Sequence, residues 1–167
     1  WKEINHQAEL EVLRALKAAG LLRGAVDAMD AKRVVYFFFP QSIGGYIGLY
    51  RHDLPGLAEL ERHAQPLPLC ELRVTRALEK DMVLSAGVGV YFNDELLARA
   101  LANPAISEHI NAEVFQEFKA EVGGVLLKDQ LVVTKDGCDV LSKTLPLRAE
   151  EVELFRKELG CFRAETS

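Results

Sequence analysis

The sequence predicts an α+β fold with a mainly antiparallel sheet. Three observations predict it: two helical patterns come before the first strand-like runs, Asp136-Gly137 sits as a tight-turn signal between two short apolar runs, and a last helical pattern closes the chain. At 167 residues there is room for one domain with a real core but not for two ordinary ones.

In order, residues 2–19 place Ile4, Ala8, Leu10, Val12, Leu13, Leu16 and Ala19 close to one helical stripe, with Glu3, Glu9, Glu11, Arg14 and Lys17 on the other faces. Gly20 stops that helix, because glycine enters the left-handed region freely. A shorter helix is expected over residues 22–31. Val34-Val35-Tyr36-Phe37-Phe38-Phe39, stopped by Pro40, reads as a buried strand covered on both faces. Residues 53–70 read largely as loop, with one helical turn around Ala58–His63. Met82 to Phe92 is the next strand, its glycines marking a bulge or a close backbone approach. Helices are expected over Glu95–Ala102, ended near Asn103-Pro104, and over residues 107–120. Val125–Leu127 and Leu131–Thr134 read as two strands, the second forming a hairpin with Val140-Leu141. Ala149–Leu159 is the closing helix, with Gly160 as its stop; Glu150–Glu158 is its solvated face, and Arg156 and Lys157 suit its negative end.

Composition narrows the function. Hydrophobic content of 49% with 27% charged residues is that of a soluble globular protein. A net charge of -5 excludes a basic nucleic-acid footprint. No apolar run approaches the length of a membrane span. Cys70, Cys138 and Cys161 are widely spaced, so reduced thiols and a cytoplasmic location are expected, and no Cys/His cluster supports a structural zinc site. The start at Trp1, without Met or a signal-peptide layout, is read as an interior point of a longer reading frame. No repeat or long linker divides residues 1–167, which are taken as a single partial domain.

The segment Pro40-Gln41-Ser42-Ile43-Gly44-Gly45-Tyr46-Ile47-Gly48-Leu49-Tyr50-Arg51-His52-Asp53 closely resembles prolidase and aminopeptidase P, the dimetal "pita-bread" peptidases, whose pattern here is roughly Pro-His-Gly-x-Gly-His-x-x-Gly-x-x-x-His-Asp. The likeness covers nearly the whole chain. Gly24-Ala25-Val26-Asp27-Ala28-Met29, Met82-Val83-Leu84 with Gly89-Val90-Tyr91-Phe92, and Leu96-Leu97 through Ala102-Asn103-Pro104 resemble prolidase segments in the same order. Gly123-Gly124-Val125, Val132-Val133-Thr134 and Leu145 to Glu153 resemble the segments that follow. The resemblance implies part of a pita-bread fold, with a curved, mainly antiparallel sheet and helices on one face.

It also implies a site, and there the sequence departs from the pattern. The family holds two divalent metals, commonly manganese, with two Asp, one His and two Glu, a set that tolerates little change. Both Asp positions would fall upstream of Trp1. The His falls on Gly45, the first Glu on Gly87 (with Val88 in place of its Pro) and the second Glu on Lys128, while the Arg two residues earlier falls on Leu126. Gln41 stands where the family has a substrate-side His. His52 is retained, at the position whose equivalent hydrogen-bonds the reacting carbonyl oxygen. No metal is therefore expected at this site, and Gln41, Gly45, His52, Gly87 and Lys128 are expected to line a degenerate pocket.

Plainer readings go with these residues. His52-Asp53 is read as a turn anchor ahead of a catalytic pair, since no motif places a nucleophile for it. Lys128-Asp129 is read as an exposed or self-neutralising couple ahead of a new functional pair. His6, His63 and His109 lack partners at i, i+4 and are read as surface or cap histidines, and Phe37–Phe39 as core. The leading expectation is a prolidase-like protein without peptidase activity that binds a peptide or protein. The alternatives are a Xaa-Pro dipeptidase or aminopeptidase with atypical ligands or a further segment, and a structural portion of a larger protein. An unpaired apolar sheet edge would pair with a missing N-terminal segment or with another copy.

Overall fold

A computed structural model describes residues 1–49, 72, 74 and 76–158. His52, Asp53, His63, Cys70, Cys161, Gly160 and the expected turn at Ala58–His63 lie outside the described residues.

Helix α1 (Lys2–Ala18) ends as expected, with Gly20 at φ +79° and the Leu21 amide donating back to the Leu16 carbonyl at 3.0 Å. Its buried stripe differs from the apolar pattern: Asn5, Glu9, Val12, Leu13 and Leu16 are buried, while Ile4 is exposed. The two polar residues can turn inward because they have partners there. Asn5 Nδ2 donates to Glu9 Oε1 at 2.6 Å, and Asn5 Oδ1 accepts from the Ile43 amide at 3.0 Å. Helix α2 (Val26–Ala31) is shorter than expected.

The run at 34–39 is not a strand. Val34–Phe37 forms a 3₁₀ helix entered through Arg33 at φ +56°, and the Phe38 and Phe39 amides both donate to the Val35 carbonyl. Enclosure, the other half of the expectation, holds: Val34, Val35, Phe38 and Phe39 are fully buried. A short run of apolar residues fits a buried strand and a buried helical turn equally well, and tertiary packing chose the turn.

The sheet has four strands in the order β1-β2-β3-β4, each pair antiparallel: β1 (Gly44–Tyr46), β2 (Val83–Tyr91), β3 (Gly124–Val133) and β4 (Cys138–Val140). The two expected strands at 125–127 and 131–134 are one continuous β3, because the polar residues between them, Lys128, Asp129 and Gln130, keep the ladder with Gly87, Ala86 and Ser85. The expected hairpin is present, with the Thr134 amide donating to the Gly137 carbonyl at 2.9 Å.

Between β2 and β3 lie α3 (Asp94–Leu101), α4 (Pro104–Ser107) and α5 (Ala112–Glu121). Asn93 and Asn103 cap the first two by accepting amides of the opening turn, and Pro104 starts α4 where its missing N–H costs nothing. The helical pattern at 107–120 is therefore split. Phe115 on α5 packs against Phe38 and Phe92 with centroids 6.0 and 5.4 Å apart, which ties α5 to the 3₁₀ turn and the end of β2. His109, expected at the surface, is buried: its Nδ1 lies 3.0 Å from the Arg23 carbonyl and its Nε2 lies 3.1 Å from Lys32 Nζ.

The last helix, α6 (Ala149–Glu158), buries no residue, and Val152, Leu154 and Phe155 stand exposed with Leu141, Leu145 and Leu147. Val125, Leu126 and Leu127 of β3 are each about half exposed. Among the described residues no helix is long and apolar enough to cross a membrane.

Candidate functional site

The strand register decides which side chains can meet. Gly45 of β1 is the direct partner of Ser85, and Gly87 of β2 is the direct partner of Lys128. Cross-strand partners share a face, and so do residues two apart along one strand. Gly45, Ser85, Gly87 and Lys128 therefore lie on one face across three neighbouring strands, with Gly89, Tyr91, Leu126 and Gln130 on the same face. Three positions that are far apart in sequence become a contiguous patch.

Backbone contacts fix this patch closely. Gly44 sits at φ +139°, and a Cβ there would lie 1.9 Å from the Ser85 carbonyl oxygen. Only a residue without a side chain permits that approach. The pairing extends beyond β1, with the Gly87 amide donating to the Ile43 carbonyl at 2.5 Å and the Ile47 amide donating to Val83 at 3.0 Å. Ile43 is itself held from α1 by Asn5, so the opening helix fixes the start of β1.

The space above the glycines is taken by neighbouring side chains. A Cβ at Gly89 would meet the Tyr91 ring, with its hydroxyl at 2.7 Å, so the ring lies over the glycine. Gln41 Nε2 donates to that hydroxyl at 2.6 Å, which places Gln41 beside the patch. Lys128 runs over Gly87 in the same way, its Cγ 3.0 Å from where a Cβ would stand. Ser85 is 5% exposed, and its Oγ is buried without a hydrogen-bond partner among the described residues. Sequence reading sets Ser85 aside as a nucleophile, for want of a nucleophile-elbow pattern, and does not place Tyr91 at the site. Their place on this face follows from register, which composition does not carry.

The structure thus brings Gln41, Gly45, Gly87 and Lys128 together, while His52 lies outside the described residues. Asp129, next to Lys128 in sequence, points to the other face and accepts from Ser142 Oγ at 2.6 Å. Among the described residues no carboxylate lies within ion-pair distance of the Lys128 ammonium. Of the two plain readings of Lys128-Asp129, self-neutralisation is not seen, and Lys128 is exposed as the other expected.

A centre of two divalent cations does not fit these donors. The three positions where the resemblance puts ligands offer two glycines without side-chain donor atoms and one ammonium that carries the cations' own sign. At about 4 Å and an effective dielectric near 20, the repulsion between a unit charge and a divalent cation costs about 8 kcal/mol, twice that between unit charges.

No family model matches the chain. Among curated proteins it is similar to the Xaa-Pro dipeptidase of Homo sapiens, 37% identical over 167 residues, covering 99% of this chain and 33% of that protein. The Xaa-Pro dipeptidase of Rattus norvegicus is 40% identical over 165 residues, and a probable Xaa-Pro aminopeptidase of Coccidioides posadasii 34% identical over 154. The chain spans about a third of the length of these curated relatives. Among solved structures, aminopeptidase PepP of Pseudomonas aeruginosa aligns over 96% of this chain and 30% of its own, with a TM-score of 0.65 and 24% identity. Zinc-substituted aminopeptidase P of Escherichia coli in complex with product aligns over 93% of this chain and 28% of its own, with a TM-score of 0.63. At this identity the structural likeness establishes the fold, which is that of part of aminopeptidase P.

Proposed function

The chain belongs by sequence to the family of the Xaa-Pro dipeptidases and aminopeptidase P, and on that premise we propose that it is a non-hydrolytic member that binds a peptide or protein. One observation carries this reading: the three positions where the resemblance puts metal-binding side chains share one sheet face and are occupied by Gly45, Gly87 and Lys128. Generating a nucleophilic hydroxide needs a cation held by several ligands. This face supplies none of the expected ones. What it does supply is one ammonium and the Gln41–Tyr91 pair, groups suited to holding a polar chain. A cytoplasmic location belongs to the same proposal.

The test is an assay of the purified chain on Xaa-Pro dipeptides with manganese present, beside calorimetric titration with the same dipeptides. Binding without release of amino acid is the expected result. Release of amino acid that a chelator abolishes would overturn the reading in favour of a Xaa-Pro dipeptidase or aminopeptidase working through atypical ligands or a further segment.

A second observation concerns partners. The apolar side chains of Val125, Leu126, Leu127, Leu141, Leu145, Leu154 and Phe155 are all about half exposed. Scattered apolar residues need no explanation, but this many on β3, the hairpin and α6 suit burial by protein. A further segment of a longer chain, or a second copy, would cover them. A monomeric, non-aggregating chain in light scattering would count against it.

A further inference from the structure

We propose that His6, Glu9 and Asp30, between α1 and α2, form a binding site for one divalent cation of the zinc class. The proposal concerns residues off the sheet face and stands independently of the reading given above.

One ligand atom from each of the three residues lies within 4.8 Å of the others. His6 Nδ1 is 3.6 Å from Glu9 Oε2, and His6 Nε2 is 3.6 Å from Asp30 Oδ2. These gaps exceed the N–H···O hydrogen-bond range of about 2.7–3.2 Å. The two gaps start from different ring nitrogens, and one ion takes only one of them. One gap therefore serves as an edge of a tetrahedron with arms of about 2.0–2.2 Å and edges of about 3.3–3.6 Å. The third ligand atom, within 4.8 Å, is drawn in by the ion.

A second observation points the same way. Asp30 Oδ1 is sealed from solvent and has no hydrogen-bond partner among the described residues. A buried carboxylate oxygen left without a partner is costly, and a cation at Oδ2, the oxygen that faces His6, would neutralise the charge that both oxygens share. Glu9 is 3% exposed, and its Oε1 is held by Asn5 Nδ2, the kind of outer partner that fixes a ligand's orientation.

Access is open on the His6 side. His6 is 44% exposed and lines a cleft of about 540 Å³ together with Lys2, Glu3, Arg33 and Tyr36. Arg33 is the resident competitor: its Nη1 lies 3.4 Å from Glu9 Oε2. That contact is long, the side chain is half exposed, and the guanidinium also rests on the Tyr36 ring, so it can yield Glu9 without losing every partner. One imidazole nitrogen and two carboxylates suit zinc or cobalt, with water completing the shell; calcium asks for six or more oxygens.

The experiment is calorimetric titration of the full chain with zinc chloride, and with cobalt(II) followed by visible absorption. One equivalent is expected to bind with a low-micromolar Kd, and cobalt to show the ligand-field bands of a low-symmetry site. His6→Ala and Asp30→Asn are each expected to weaken binding at least tenfold. His6 is partly exposed, so its loss leaves the core intact, and far-ultraviolet circular dichroism checks this. Uptake that saturates only at millimolar zinc, or equal affinity in both variants, overturns the site. Equal affinity in both variants together with Xaa-Pro hydrolysis would place the ion elsewhere, and would overturn the non-hydrolytic reading as well. Loss of uptake in the variants with no hydrolysis supports both.

Discussion

Lys128 stands directly across the β2–β3 ladder from Gly87, and its Cγ and Cβ lie 3.0 and 3.1 Å from the point where a side chain at position 87 would begin. The lysine stem occupies the volume that the glycine leaves. Gly87→Ala is therefore expected to destabilise the chain by about 1–3 kcal/mol through overpacking. In a Lys128→Ala background the cost should shrink in part, because the Cγ contact is lost while the Cβ of residue 128, at 3.1 Å, and the Leu127 carbonyl, at 3.0 Å, still crowd the new methyl. Urea unfolding of the double-mutant cycle should return a coupling of at least about 0.5 kcal/mol. Additive effects would mean the two positions do not share this space.

Gly44 is a harsher case. Both its φ of +139° and the 1.9 Å approach of the Ser85 carbonyl forbid a side chain. Gly44→Ala is expected to cost about 3–5 kcal/mol, enough to leave little folded protein in a marginally stable chain. Denaturant midpoints near wild type would show that β1 can shift away from β2.

Asn5 ties α1 to the lead into β1 through one side chain, bonding Glu9 on its own helix and the amide of Ile43 before β1. Asn5→Leu removes both bonds and strands a buried amide and a buried carboxylate oxygen. A loss of about 2–4 kcal/mol is expected, by the cost of unpaired buried polar groups. Hydrogen exchange should report faster exchange at the Ile43 amide in the variant.

Two exposed carboxylates predict the acid limb of stability. The hydrogen bond from Lys119 holds the Asp94 carboxyl below its ordinary range, and the bond from Lys32 does the same for Glu108. Each folded-state value is depressed, so the stabilisation is present above the ordinary carboxylate value and is lost as pH falls through the lower folded value. Stability should decline below about pH 4, where the unfolded chain takes up these protons first. Lys119→Met is expected to flatten that decline slightly, since both pairs are solvent-exposed. A variant whose urea midpoint follows wild type from pH 6 to about pH 3 would count against the assignment.

Local signals were legible where sequence and packing agree. The stop at Gly20, the hairpin after Val133 and the strand through Gly87 all follow from the chemistry of one short segment. Legibility failed where distant partners decide. Asn5 and Glu9 belong to the buried stripe only because Ile43 and Arg33 meet them there. Val34–Phe37 is helical because its run carries no period to contradict the surrounding core. His6 lacks a partner at i+4, yet it finds Glu9 at i+3 and Asp30 on another helix. The candidate face was legible only through family resemblance; the register that places Ser85 and Tyr91 on it is a three-dimensional fact.

Gly44 and its neighbour Gly45 look alike on paper, yet at the first the crossing of two backbones leaves no room for even a methyl group. That demand is architectural: it is the same whether the adjoining surface grips ions, cradles a guest or does nothing. A glycine framework of this kind is thus a signature of how the polypeptide closes on itself. It can outlast any one occupation of the surface it shapes.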